Sequence, residues 1–229
     1  MRIQGLQKLT LLDYPEHTAC TVFTAGCNFR CPFCHNASLV LGGAQSEYTE
    51  EEILSYLEKR KGLLDGVCIT GGEPLLQNGI SEFIKKIKDL GFSVKLDTNG
   101  CYPEKLKELI DSDLIDYVAM DIKNSFEEYG KTVGIKNFDT SPIKESVAIL
   151  NRSGIDFEFR TTVVKELHSL ESIKAIASEI KGAKKYFLQS FVDSGDLIGE
   201  NLSAHDKNTL EQMKTEAQKT LDIVEIRGI

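Results

Sequence analysis

The stretch ACTVFTAGCNFRCPFCHN, residues 19–36, joins a run of β-branched and apolar residues to a loop carrying three thiols within eight positions. The run Ala19–Thr24 reads as a strand covered on both faces, because its apolar residues are near-continuous rather than alternating. Five further runs share that character: Gly66–Thr70, Phe92–Asp97, Ile115–Asp121, Phe157–Val164 and Tyr186–Phe191. Segments of helical period separate them. Strands alternating with helices imply parallel pairing and right-handed crossovers, hence an α/β fold. Periodicity alone leaves two forms open, an open doubly wound sheet or a curved part-barrel. In both, chemistry gathers at the carboxyl ends of the strands.

The helices have readable ends. Thr49 with Glu52 predicts a capping box ahead of Ile53, Leu54 and Leu57. Asn78 is placed to cap a helix carrying Ile80, Phe83, Ile84, Ile87 and Leu90, with Gly91 just past its end. Pro103 and Pro142 suit first-turn positions, the latter behind a Ser141 cap. Ser169 and Ser203 are expected to start two later helices, and each apolar stripe is expected to face core.

With 27 Lys+Arg against 35 Asp+Glu, the chain has a net charge of -8. Such a balance offers no general attraction for phosphate backbones, so no nucleic-acid partner is expected. No apolar stretch approaches the roughly 20 residues that cross a membrane, and the first residues do not read as a signal peptide. The cytoplasm is the expected location. There, six cysteines are expected to be ligands, buried hydrophobes or reactive thiols rather than disulfides.

Cys27, Cys31 and Cys34 form a Cys-x3-Cys-x2-Cys spacing directly after the first strand. Thiolates are soft ligands suited to zinc or iron–sulfur. His35 adjoins Cys34 too closely for both to reach one tetrahedral zinc, and Cys20, Cys68 and Cys101 have no complementary spacing for a four-cysteine cluster. The arithmetic suggests a [4Fe–4S] cluster with one open iron. A zinc-bound module and a cluster electron carrier are the competing readings. Cys20 and Cys68 are expected in the core, and Cys101 as a small buried thiol.

Three more motifs end strands: Gly71-Gly72-Glu73-Pro74, Asp97-Thr98-Asn99-Gly100 and Asp121-Ile122-Lys123. Paired glycines let a backbone edge approach a ligand, and Glu73 can accept from an ammonium group. Asp97 and Asp121 at neighbouring strand ends can hold a hard cation, with Lys123 a point charge for a carboxylate.

The cysteine spacing, with the aromatic Phe33 before the last thiol, resembles the radical S-adenosylmethionine (SAM) superfamily. GGEP looks like that superfamily's methionine-amino-group site. Together with KLTLLDYPEH at 8–17, LDTNG and MDIK, the chain is similar to glycyl-radical-enzyme activases from Ile3 to about Phe191. Within that family the resemblance points to the activases of anaerobic ribonucleoside-triphosphate reductase, the alternatives being an activase of another glycyl-radical enzyme or a radical SAM enzyme acting on a small molecule.

That resemblance implies a single radical-SAM domain over 1–229. It would comprise a leading segment at 1–18, a partial (β/α)6 barrel of parallel strands at 19–191, and a C-terminal helix and strand at 192–229. It implies Cys27, Cys31 and Cys34 as catalytic cluster ligands. Phe33, Gly71, Gly72, Glu73, Pro74, Asp97, Asn99, Lys123 and Gln189 would bind SAM, and Asp97 and Asp121 would flank a monovalent cation. Phe29 and His168 are further candidates near the cosubstrate. The implied partners are a glycyl-radical enzyme and a flavodoxin- or ferredoxin-type electron donor. Related activases often carry Gly-Pro-Gly after the early Asp, whereas this chain has Tyr14-Pro15-Glu16 after Asp13.

Overall fold

The computed structural model describes residues 1–42 and 46–229. Eight strands form one sheet in sequence order: β1 (Ile3–Thr10), β2 (Ala19–Thr24), β3 (Gly66–Gly71), β4 (Ser93–Thr98), β5 (Tyr117–Asp121), β6 (Asp156–Val163), β7 (Tyr186–Ser190) and β8 (Val224–Arg227). The six expected strands are β2 to β7, all parallel; β8 extends them in parallel and β1 pairs antiparallel with β2. Side chains from β1 to β7 line one common cavity, so the sheet curves around its inner face. β1 and β8 end the order without pairing to each other, which leaves the barrel partial.

The helices are α1 (Ala37–Leu41), α2 (Glu50–Glu58), α3 (Ile80–Asp89), α4 (Pro103–Asp111), α5 (Tyr129–Thr132), α6 (Ser141–Arg152), α7 (Leu170–Glu179) and α8 (Lys207–Ala217). The apolar stripes of α3, α4, α7 and α8 are buried as expected, for example Ile80, Phe83, Ile84 and Ile87. The capping box of Thr49 and Glu52 is complete, and Ser169 forms one with Ser172. Gly91 follows α3 at φ 93, the left-handed position where glycine ends a helix at least cost.

Three helix starts differ from expectation. Gly79, at φ 78, rather than Asn78, precedes α3, because the chain needs a left-handed bend there. Thr140 precedes α6, so Ser141 and Pro142 lie inside its first turn. α8 is capped by Asp206, whose side chain accepts from the Thr209 N–H, while Ser203 bonds Glu166 instead.

The leading segment closes the amino end of the barrel. Thr10 of β1 pairs with Ala19 of β2, so the turn between them lies at the amino ends of the parallel strands. Tyr14 is buried there, stacked on His17 with ring centroids 4.0 Å apart and tilted against Tyr117 at 6.1 Å. A Cβ on Gly66 would meet the Tyr14 ring at 2.8 Å, so only glycine admits this plug. Asp13 accepts from the Thr21 hydroxyl at 2.6 Å. Beside the plug, Glu158 accepts from the Tyr117 hydroxyl at 2.9 Å and from Arg227 of β8 at 2.8 and 3.0 Å. The Tyr-Pro-Glu variation thus supplies a floor, with Glu16 held at φ 62.

Candidate active site

A cavity of about 430 Å³ opens at the carboxyl ends of the parallel strands. Cys27, Cys31, Cys34 and Phe33 reach it from the loop after β2, and Gly71 and Gly72 from the end of β3. Asp97, Asn99, Asp121, Lys123 and Gln189 complete its wall from β4, β5, β7 and the turns that follow them. Residues far apart in sequence therefore share one surface.

The cysteine loop is fixed by backbone bonds. Gly26 donates to Leu39 O at 2.8 Å, Arg30 to Val133 O at 2.9 Å, and Cys34 to Cys31 O at 3.1 Å. Gly72 donates to Thr24 O at 2.8 Å and Glu73 to Gly26 O at 2.9 Å, tying the GGEP turn to the loop. A Cβ on Gly72 would lie 2.0 Å from Gly26 O, and one on Gly71 2.4 Å from Thr24 O, at a φ of 111. The paired glycines are therefore required first by the approach of two backbones, and only their outer edge faces the cavity.

Glu73 and Pro74 stand behind that surface. Glu73 is fully buried, and its carboxylate accepts from Leu75 N–H (3.0 Å), the Thr98 hydroxyl (2.8 Å) and Asn99 N–H (2.7 Å). Burial pushes its pKa up to about 7, against the pull of these donors. Glu73 therefore ties the GGEP turn to Asp-Thr-Asn-Gly, and its oxygens are occupied by the chain itself. His168 is likewise committed: Nε2 donates to Lys123 O at 2.8 Å, and Nδ1 accepts from Val164 N–H at 3.1 Å. Burial lowers its pKa, so it stays neutral and holds the Lys123 backbone rather than facing the cavity.

Arg160, a residue the sequence reading passed over, lies between the two aspartates. Its Nη1 is 3.2 Å from Asp97 Oδ2 and its Nε 2.8 Å from Asp121 Oδ1. Lys95 pairs with Asp97, and Lys123 with Asp121 at 2.9 Å. A guanidinium thus lies between the two carboxylates expected to flank a monovalent cation, and each already has a cationic partner. Although burial alone would raise it, Asp121 is held at about 2 by Arg160 and Lys123. Burial opposes the charge on Lys123, but Asp121 outweighs it and raises the lysine above its usual range.

Around the thiols, Phe29 N–H and Asn99 Nδ2 approach Cys27 Sγ at 3.4 and 3.8 Å, and Asn99 also donates to Asn28 Oδ1 at 2.8 Å. Burial pushes Cys31 up to about 12 and raises Cys27, so a metal entering here displaces protons. Phe29 packs edge-on against Phe138 and Tyr129 as loop core. Cys20 and Cys68 are buried in strands; Cys101 is only half-buried. Among the described residues, no group of three or more His, Cys, Asp or Glu side chains is placed to share a single metal ion. The three thiols face one cavity, and thiolates are the donors that hold iron–sulfur clusters.

Residues 21–180 match the family model described as the Radical SAM superfamily. A Methanocaldococcus jannaschii protein, provisionally named a glycyl-radical enzyme activating enzyme, is 35% identical over an alignment of 234 residues covering 99% of this chain and 96% of that protein. The pyruvate formate-lyase-activating enzyme of Clostridium pasteurianum is 30% identical over 196 residues, 80% of this chain and 77% of that one. Among solved structures, Streptococcus suis SuiB bound to precursor peptide SuiA has the same fold, with a TM-score of 0.73 at 15% identity. That match covers 91% of this chain and 48% of SuiB, so the chain spans about half of SuiB's length.

Proposed function

Because the chain belongs to the radical SAM superfamily, as a glycyl-radical-enzyme activating enzyme, we propose that its target is an anaerobic ribonucleoside-triphosphate reductase. The observation that carries the site assignment is the meeting of three cysteines, a Gly-Gly edge and the Asp97, Asp121, Lys123 and Arg160 side chains on one cavity at the strand ends. The family's cofactors are a [4Fe–4S] cluster and SAM, and three soft thiol donors on one cavity fit the cluster. When bound, the pair supplies one-electron cleavage of SAM to methionine and a 5′-deoxyadenosyl radical, which removes a hydrogen from a glycine Cα of the partner.

Cys27, Cys31 and Cys34 would each hold one iron. Lys123 and Arg160, each paired with aspartates, face the cavity and would meet the SAM carboxylate. The Gly71-Gly72 backbone edge would take the amino group, with Glu73 and Pro74 fixing that edge from behind. Phe33 would exclude water beside the adenine, and Asn99 and Gln189 would bond the polar edge of the cosubstrate. The target assignment is supported by the motif set from the KLTLLDYPEH segment through MDIK. A flavodoxin- or ferredoxin-type protein would supply the electron in an anaerobic cytoplasm; no helix is long and apolar enough to cross a membrane among the described residues.

The test is anaerobic incubation with reductant, SAM and the candidate reductase, followed by electron paramagnetic resonance. A glycine-centred doublet on the reductase is expected. SAM cleavage without that doublet, but with one on another glycyl-radical enzyme, would reassign the target.

A further inference from the structure

Residues 191–206 connect β7 to α8 without helix or strand. Uninterrupted loops of this length are uncommon in compact domains and are usually functional or disordered. Here the segment is pinned at two points near its middle. Asp196 Oδ2 accepts from Ser38 N–H at 3.2 Å and from the Ser38 hydroxyl at 2.8 Å, and its carbonyl accepts from Ala37 N–H at 3.4 Å. Gly199 donates to Pro32 O at 2.7 Å, and a Cβ at Gly199 would stand 2.6 Å from Pro32 Cβ. Beyond these, Ser203 bonds Glu166, and His205 Nε2 donates to His168 O at 2.8 Å. His168 in turn holds the Lys123 carbonyl.

The two pins bracket Cys34, one at Pro32 and the other at Ala37 and Ser38. Residues 192–196 are exposed between Phe191 and Leu197, which pack on the core, so the Asp196 and Gly199 bonds act in addition to that apolar anchoring and fall on the cysteine loop itself. We infer that this segment is a strap that positions the cysteine loop to hold its cluster, with Asp196 and Gly199 as positioning residues. The inference rests on the reading that Cys27, Cys31 and Cys34 are the cluster ligands. Releasing the strap would free the loop around Cys34 and let iron escape.

The experiment compares anaerobically reconstituted wild type with Asp196→Ala, Asp196→Asn and Gly199→Ala. Iron loss to an excess of chelator is followed by visible absorbance, and melting of the apo-proteins is measured in parallel. Asp196→Ala should lose iron about tenfold faster, because two hydrogen bonds to Ser38 disappear. Asp196→Asn keeps an acceptor oxygen and should stay near the wild-type rate. Gly199→Ala should lose iron faster as well, with apo-protein melting unchanged for both Asp196 variants. Wild-type rates in Asp196→Ala and Gly199→Ala would overturn the inference, as would faster loss accompanied by an equally lowered apo melting point. A Cys31→Ala control that reconstitutes like wild type would instead remove the ligand reading on which the strap depends.

Discussion

Glu158 and Arg160 are two residues apart on β6 and point to the same inner face of the sheet, as strand alternation requires. Each anchors an acid–base cluster, one at either end of the barrel interior. Glu158, 1% exposed, is enclosed by Tyr117, Arg227 and the Tyr14 plug, and its oxygens are matched donor for acceptor. Arg160 bridges Asp97 and Asp121, and all three open onto the cavity beside Lys123. An enclosed cluster presents no face to a ligand, whereas one that opens onto a cavity does. The amino end of this barrel is closed, and the carboxyl end opens onto the cavity, where parallel barrels place their chemistry.

The largest expected effect sits at the carboxyl end and leaves the other untouched. Cys31→Ala should abolish iron uptake and SAM cleavage while melting like the apo wild type, as read by iron analysis and 5′-deoxyadenosine release. Next, Arg160→Leu removes one partner of a buried bridge and should cost about 3–5 kcal/mol in urea unfolding, together with a marked loss of SAM affinity. Tyr14→Ala opens a cavity at the opposite end and should cost a similar ~3 kcal/mol while leaving SAM affinity as it was. Equal loss of affinity in both variants would erase the distinction between the two ends.

A smaller effect sharpens the comparison through pH. Glu73 has a folded pKa of about 7, raised from the usual carboxylate range by burial. A raised acid contributes stability that is full below the unfolded pKa and is lost as pH rises through the folded one. Glu73→Gln leaves one of three donors unmatched and should cost about 1–3 kcal/mol at pH 5. Because glutamine does not ionise, the gap to wild type should narrow between pH 5 and pH 8. A gap constant across that range would show that burial does not control this carboxylate.

The strands β2 to β7 were legible because continuous β-branched and apolar runs have few other uses. β1 was not: IQGLQKLT mixes faces, being an edge strand with its middle half-exposed. Helix starts slipped where a backbone conformation, as at Gly79, or a nearby acid, as at Asp206, outcompeted the better-known capping residue. In the site, the cysteine spacing and strand-end motifs located the cavity wall. What spacing could not show was occupancy. Glu73, read as an acceptor for an ammonium group, is held by two backbone N–H groups and the Thr98 hydroxyl, His168 is held by backbone groups, and Arg160 lies between Asp97 and Asp121. The available signal for Arg160 was a charge within the otherwise strand-forming run FEFRTTVV, on the same face as Glu158.

The most direct measurement is electron paramagnetic resonance of the anaerobically reconstituted, reduced protein before and after SAM is added, with iron counted on the same sample. About four irons per chain and a signal that shifts when SAM is added are expected, since the cosubstrate completes the iron left without a protein ligand. A colourless zinc-bound protein, or a cluster whose signal ignores SAM, would contradict it.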